Sequence, residues 1–167
     1  MILIIFIPGM EKEHHYRIAT VWTGNRGEGT SSYKAYDRDH IIQAEGKAEI
    51  AGSSDPGFRG SPQRYNPEEL LVSTLSTCHM LWYLHLCSVN NIVVTDYQDQ
   101  ARGTLMEKPD GSGYFKEVEL HPVVTLTRED MIARAEELHH EAGKYCFIAR
   151  SVNFPVRHMP VFKIKNA

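Results

Sequence analysis

Along the chain, polar and apolar positions alternate in two different rhythms. After Asn66 the rhythm is helical: Leu71, Leu75, Cys78, Trp82 and His85 recur at spacings of four, three, four and three residues, so they share one face. Asn66 is a capping residue, Pro67 suits the first helical position, and Glu69 stands where a capping box needs its carboxylate. The spacing predicts a long helix that opens at Asn66, closes near Asn90-Asn91, and carries Cys78 on its buried face. A second helix is predicted from a Thr127/Asp130 start, with Met131, Ala135, Leu138 and Ala142 on one face and Gly143 as its stop signal. Cys146 then falls just beyond its end.

The remaining segments read as strands. Residues 16–22, 32–36 and 40–50 alternate, with the Gly- and Asn-rich stretch 24–29 as a turn and 52–62 as a long loop. Residues 92–105 and 114–126 predict a second hairpin around Lys108-Pro109-Asp110-Gly111, and 154–164 a closing strand. Strands, helix, strands, helix and strand in that order define an α+β class.

With 167 residues, of which 42% are hydrophobic, the chain can build one sizeable core, and residues 10–167 are read as a single domain. A net charge of -3 supplies no basic stripe for nucleic acid and no cationic patch for a membrane surface. Three cysteines without a Cys-x-x-Cys pair fit neither a disulfide scaffold nor a structural zinc site, and a reducing cytoplasm is the expected compartment. Residues 1–9 are apolar but too short to span a bilayer. They are either an extension ahead of a start at Met10, or an apolar strand or subunit contact. Of the nine histidines, the adjacent pairs His14-His15 and His139-His140 diverge, and His85 reads as a core histidine, so no metal is expected. Cys87, nine residues after Cys78 and half a turn out of phase, reads as core.

A helix cysteine becomes a nucleophile only as thiolate. Cys78 lies about twelve residues into its helix, too deep for the amino-terminal dipole, so a side-chain cation has to stabilise the thiolate, and arginine is the natural candidate. Trp82, Tyr145 and Phe147 supply apolar company, which favours an organic substrate because each buried methylene contributes about 0.8 kcal/mol.

The run from Asn66 to Cys78, with Glu68 ten residues before the cysteine, together with Glu141-Ala142-Gly143-Lys144-Tyr145-Cys146, resembles the OsmC/Ohr family of hydroperoxide-reducing proteins. The resemblance covers roughly residues 16–165. It implies an OsmC-like α+β fold with antiparallel sheets packed around the long helix, in an interwoven homodimer with sites at the subunit boundary. It also implies a thiol-dependent peroxidase in which Cys78 becomes a sulfenic acid, Cys146 resolves it as a disulfide, and an external dithiol such as dihydrolipoamide resets the pair without a bound cofactor. The family's arginine near the amino-terminal hairpin corresponds to Arg26 in Gly24-Asn25-Arg26-Gly27, with Arg38 the alternative, and Glu68 corresponds to the glutamate that orients it. Ten helical residues place Glu68 about 15 Å from Cys78, a span that calls for a broken helix or a second chain. Where many members carry Pro or a small residue after the resolving cysteine, this chain has Phe147-Ile148, and His79-Met80 follows Cys78. Those departures leave open a stress-associated binding dimer and a cysteine redox sensor.

Overall fold

The computed structural model describes residues 11–165, so the apolar run 1–9 lies outside the described residues. The chain divides into two compact units, Met1–Tyr65 and Asn66–Ala167.

The first unit contains a three-stranded antiparallel sheet, β1 (Ala19–Trp22), β2 (His40–Gln43) and β3 (Ile50–Gly52), in that order. The expected strand at 32–36 is a turn instead, touching the sheet pattern only through a single bridge between Asn25 and Tyr36. Local hydrogen bonding outcompetes the alternation: Ala35 N donates to Ser32 O at 3.0 Å, and the carbonyls of residues 33–36 accept from Arg26 and Arg38, while in the preceding turn the Asn25 side chain accepts from the backbone N–H of Gly27 at 2.8 Å and of Gly29 at 3.1 Å. Both glycines take positive φ, 110° and 57°. The expected strand 40–50 is two strands, broken by a turn that includes Gly46.

The second unit opens with α1 (Pro67–Val89), whose capping box forms as the sequence predicts. Asn66 Oδ1 accepts from Glu69 N at 2.7 Å, and Glu69 Oε2 accepts from Asn66 N at 3.1 Å. Each long strand expected downstream is divided in two, giving β4 (Val94–Asp99), β5 (Arg102–Glu107), β6 (Gly113–Leu120) and β7 (Pro122–Leu126). The β5–β6 hairpin closes around Lys108–Gly111 as expected, with Gly111 N donating to Lys108 O at 2.9 Å. The division after β6 is held by Asp99, whose Oδ1 accepts from His121 N at 2.7 Å.

Helix α2 (Ile132–Tyr145) starts later than Thr127 and has no side-chain cap. Asp130 is drawn away by Arg128, which donates to both carboxylate oxygens at 2.9 and 2.6 Å, and Glu129–Met131 form a 3₁₀ turn. Gly143 does not stop the helix. Its missing side chain makes room instead: a Cβ there would stand 2.9 Å from His158 Cε1. After α2, the expected single strand is again two, β8 (Val156–His158) and β9 (Val161–Ile164). These lie parallel to β6 and β7, so the sheets β5-β6-β8 and β4-β7-β9 are mixed rather than purely antiparallel. The crossover through α2 is what permits parallel pairing.

Two cores result, and α1 serves both. Its first half packs Leu75 with Val118 and Leu120 of β6, and its second half packs Tyr83 and Cys87 with Val124 and Leu126 of β7 and Ala135, Leu138 and Ala142 of α2. The deepest stripe of α1 is therefore Leu75, His79, Tyr83 and Cys87. Cys78 and Trp82 are half-buried beside that stripe, and His85 is exposed, which corrects the expected core face by a fraction of a turn. Cys87 is core as expected. By length and composition α1 could cross a membrane, with a mean hydropathy of 1.2, yet this stripe is committed to sheet and α2 packing.

Asn66→Ala is expected to lower unfolding stability by about 1 kcal/mol through the lost cap, and Gly143→Ala by about 1–3 kcal/mol through crowding against His158. Urea denaturation followed by far-ultraviolet circular dichroism measures both; unchanged stability of the second variant would mean that the His158 ring yields without cost.

Candidate functional site

Helices α1 and α2 run antiparallel, and their contact brings the two cysteines together. Along the seam Cys78 meets Cys146, Trp82 stacks on Tyr145, and Tyr83 stacks on His139. The two cysteine side chains are neighbours, although 68 residues separate them, and both are free thiols. Cys146 is fixed by the end of its helix: its N–H donates to Ala142 O at 2.9 Å, its Sγ accepts from Ala149 N at 3.4 Å, and a 3₁₀ turn, Ala149–Ser151, follows. Burial, with a smaller effect from the Cys78 side chain, pushes the Cys146 thiol up to about 11.

An aromatic cluster flanks the pair. The Trp82 ring lies 5.2 Å from Tyr145, nearly parallel, and 5.8 Å from Phe147 edge to face. Tyr145 is 49% exposed and Phe147 67%, so the cluster forms an open apolar wall rather than an enclosed pocket. His85 continues it, 5.8 Å from Trp82. Cys78, Cys146, Trp82, Tyr145 and Phe147 are thus brought to one place.

Of the charged residues expected at the site, Glu68 lies on α1 and Arg26 and Arg38 in the first unit. Glu68 occupies the first turn of α1, outside the capping box and ten residues from Cys78 along an unbroken helix. Arg26 Nε donates to Ala35 O at 3.2 Å, a second nitrogen donates to Lys34 O, and Asp37 lies 3.8 Å away. Arg38 donates to Tyr36 O at 2.6 Å and Tyr33 O at 2.9 Å, and its guanidinium rests 4.2 and 4.1 Å from the two tyrosine rings.

Beside the thiols lies a group that the sequence reading passed over. His79 Nε2 and His139 Nδ1 are 2.9 Å apart, and His158 stacks on His79 with centroids 4.1 Å apart. Tyr83 stacks on His139 at 3.8 Å. Burial, followed by the neighbouring imidazoles, lowers His79 to about 2 and His139 to about 3, and burial also lowers His158. The available signal was His79 on the four-residue stripe of Leu75, Tyr83 and Cys87, a polar residue at a core position. The pair His139-His140 does diverge, as expected: His139 is buried and His140 exposed.

A mixed α+β unit built on a long capped helix, with a thiol pair at its seam with a second helix, defines the class. The sequence model of the OsmC-like protein family matches residues 60–159, and the chain belongs to that family. An OsmC-like protein of unknown function from Vibrio cholerae is 28% identical, with a TM-score of 0.80 over 89% of this chain and 100% of that one. An organic hydroperoxide resistance protein from Elizabethkingia anophelis shares the fold at 19% identity, with a TM-score of 0.67 over 91% of this chain and 100% of that one. The uncharacterised protein YmaD of Bacillus subtilis is 23% identical over 144 residues, 84% of this chain and 87% of its own.

The raised Cys146 thiol has a direct consequence. At pH 8 only about one molecule in a thousand carries it as thiolate, against roughly a quarter for an ordinary cysteine. Iodoacetamide is expected to alkylate Cys146 at least about a hundredfold more slowly than glutathione, as followed by peptide mass spectrometry; parity of the two rates would contradict the buried, hydrogen-bonded placement.

Proposed function

We propose that this protein is a thiol-dependent peroxidase that reduces organic hydroperoxides to alcohols. The observation that carries the reading is the juxtaposition of Cys78 with Cys146 beside an exposed aromatic wall. The half-buried Cys78 is the attacking thiol. Its thiolate takes the terminal peroxide oxygen, the O–O bond breaks, the departing alkoxide leaves as alcohol after gaining a proton, and Cys78 is left as sulfenic acid. Cys146 attacks that sulfur, the S–O bond breaks, water leaves, and a disulfide forms. An external dithiol, for which dihydrolipoamide is the first candidate, then reduces the disulfide by exchange.

The roles divide by environment. Buried beside Cys78, Cys146 suits the resolving part, since it stays protonated until a sulfenic acid stands next to it. Arg26 is assigned to hold the Cys78 thiolate and the peroxide oxygen, with Arg38 as the alternative, and Glu68 to orient the guanidinium through a bidentate pair. Because Glu68 lies about 15 Å from Cys78 along an unbroken helix, one protomer's Glu68 serves the other's thiol, and the working form is an interwoven homodimer. The exposed apolar side chains Leu81 and Val89 on α1 and Phe147 beyond α2 support that assembly, since a monomer leaves them in water. The name of the Elizabethkingia anophelis relative supports an organic hydroperoxide as substrate.

Consumption of cumene hydroperoxide and of hydrogen peroxide, with dihydrolipoamide as reductant, tests the reading. Cys78→Ser is expected to lose at least about a thousandfold in turnover, and Cys146→Ser to be oxidised once and then to depend on added monothiol. Trp82→Ala removes a stacked aromatic worth about 1–1.5 kcal/mol and should raise KM for cumene hydroperoxide about tenfold while leaving hydrogen peroxide unaffected. A wild-type protein that consumes neither peroxide, with both thiols titrating as free cysteines, would rule the peroxidase out and leave a binding dimer of this fold.

A further inference from the structure

Two buried histidines, His79 and His139, and the half-buried His158 take no part in the chemistry above, yet they occupy the centre of the helix seam. His79 comes from α1, His139 from α2 and His158 from β8, so the stack ties three elements together. His79 and His139 are each 1% exposed. His79 Nδ1, His139 Nε2, His158 Nε2 and the hydroxyls of Tyr83 and Tyr97 are sealed from solvent without a hydrogen-bond partner among the described residues. His79 and His139 meet nitrogen to nitrogen in nearly parallel planes, His158 stacks on the face of His79, and among the described residues no group of three ligands is set to hold an ion.

The His79–His139 hydrogen bond requires one of its two nitrogens to be an acceptor. If both rings are protonated, neither has an acceptor left, and two positive charges face each other out of reach of water. The titratable surroundings offer little relief. From α1 come Tyr83 and Cys87, both held protonated by burial; from α2, His140, whose charge would add repulsion; from β4, Tyr97, also held protonated, and Asp99. Asp99 is the one carboxylate that favours a charged His158, and its oxygens are already engaged by Ser76 Oγ at 2.5 Å and His121 N at 2.7 Å.

We propose that His79, His139 and His158 form an acid-operated latch between α1 and α2. With all three rings neutral the helices close and hold Cys78 against Cys146; when the rings take up protons the helices part and the thiols separate. The parting of the helices stands on the stack alone, whereas its consequence, loss of peroxide turnover in acid, rests on the function proposed above.

The sign follows from the direction of the shifts. A histidine that is held neutral in the closed form but accepts a proton at about pH 6.5 once opened adds nothing to opening above that pH. Below it, each such histidine raises the opening constant about tenfold per pH unit, and three together up to about a thousandfold. The contribution of the closed stack is therefore complete above about pH 6.5 and is lost as the pH falls.

The test uses the full-length protein kept reduced with dithiothreitol and titrated from pH 7.5 to 4. Near-ultraviolet circular dichroism reports packing, and proton NMR of the imidazole Cε1–H signals reports charge. The expected result is a cooperative loss of the near-ultraviolet signal below about pH 6.5, with the three histidines charging only in that same transition. Diamide-driven formation of the Cys78–Cys146 disulfide, measured after dithiothreitol is removed, should fall in parallel. This readout involves no peroxide, so it separates failure of the latch from failure of the peroxidase. His158→Phe keeps a stacked ring and deletes one proton site; its midpoint should move lower and its transition should involve about one proton fewer. Three outcomes would overturn the latch: histidines that each titrate near pH 6.5 with packing intact, a near-ultraviolet signal unchanged to pH 4, or a His158→Phe midpoint equal to the wild type. If His158→Phe fails to fold, the wild-type NMR titration still decides.

Discussion

The contact between α1 and α2 is the constraint on which the second unit depends. Helix α1 is shared by two cores, and α2 closes only one of them, so the residues between Leu75 and Tyr83 lie where the cores adjoin. Cys78 and His79 occupy that interval. Because consecutive helical residues point about 100° apart, one of these neighbours faces Cys146 at the edge of the seam and the other faces His139 within it. A single packing arrangement thus sets both the thiol pair and the imidazole stack. A shift of register by one helical turn, about 5.4 Å, would separate both together.

Burying two imidazoles against a half-buried third is an unusual way to fill such a seam. Leucine or phenylalanine would satisfy the volume without leaving sealed nitrogens, and each unpartnered buried polar group costs about 1–3 kcal/mol. The aromatic faces offset part of that cost by stacking, His79 on His158 at 4.1 Å and His139 on Tyr83 at 3.8 Å. What an apolar filling cannot provide is a hydrogen bond joining α1 to α2 at one relative height. The His79–His139 bond does so, and it fixes the register that the cysteines need.

The sequence made some of this legible and hid the rest for physical reasons. The start of α1 was readable because Asn66, Pro67 and Glu69 act locally, through bonds formed within one turn. The start of α2 was not, because Asp130 is captured by Arg128 and the capping pattern goes unused. Long alternating runs hid their own breaks: nothing in the period of 92–105 or 114–126 marks where a strand leaves one sheet for another, and the Asp99–His121 bond that holds one break is tertiary. Gly143 was misread because its role is a close approach by His158, a residue fifteen positions away. The grouping of Cys78, Cys146, Trp82, Tyr145 and Phe147 followed from family resemblance and from apolar company near each cysteine. The histidine stack did not, since its members are spread over 80 residues and meet only through the fold.

The seam, taken alone, is poorly suited to make a thiolate. Burial raises Cys146, the aromatic wall of Trp82, Tyr145 and Phe147 brings no cation, and the amino terminus of α1 is too distant for its dipole to act on Cys78. His79, next to Cys78 in sequence, is held neutral within the stack. A nucleophilic Cys78 therefore needs a cation delivered from outside the helix pair, the part that the proposed reaction gives to Arg26 or, as the alternative, to Arg38. Both side chains are held by backbone carbonyls and, in Arg38, by two tyrosine rings, so each presents its charge from a fixed position with little rotamer freedom left to lose. In the proposed reaction the helix pair thus supplies the thiols and the apolar wall, and the activating cation has to be supplied by other residues.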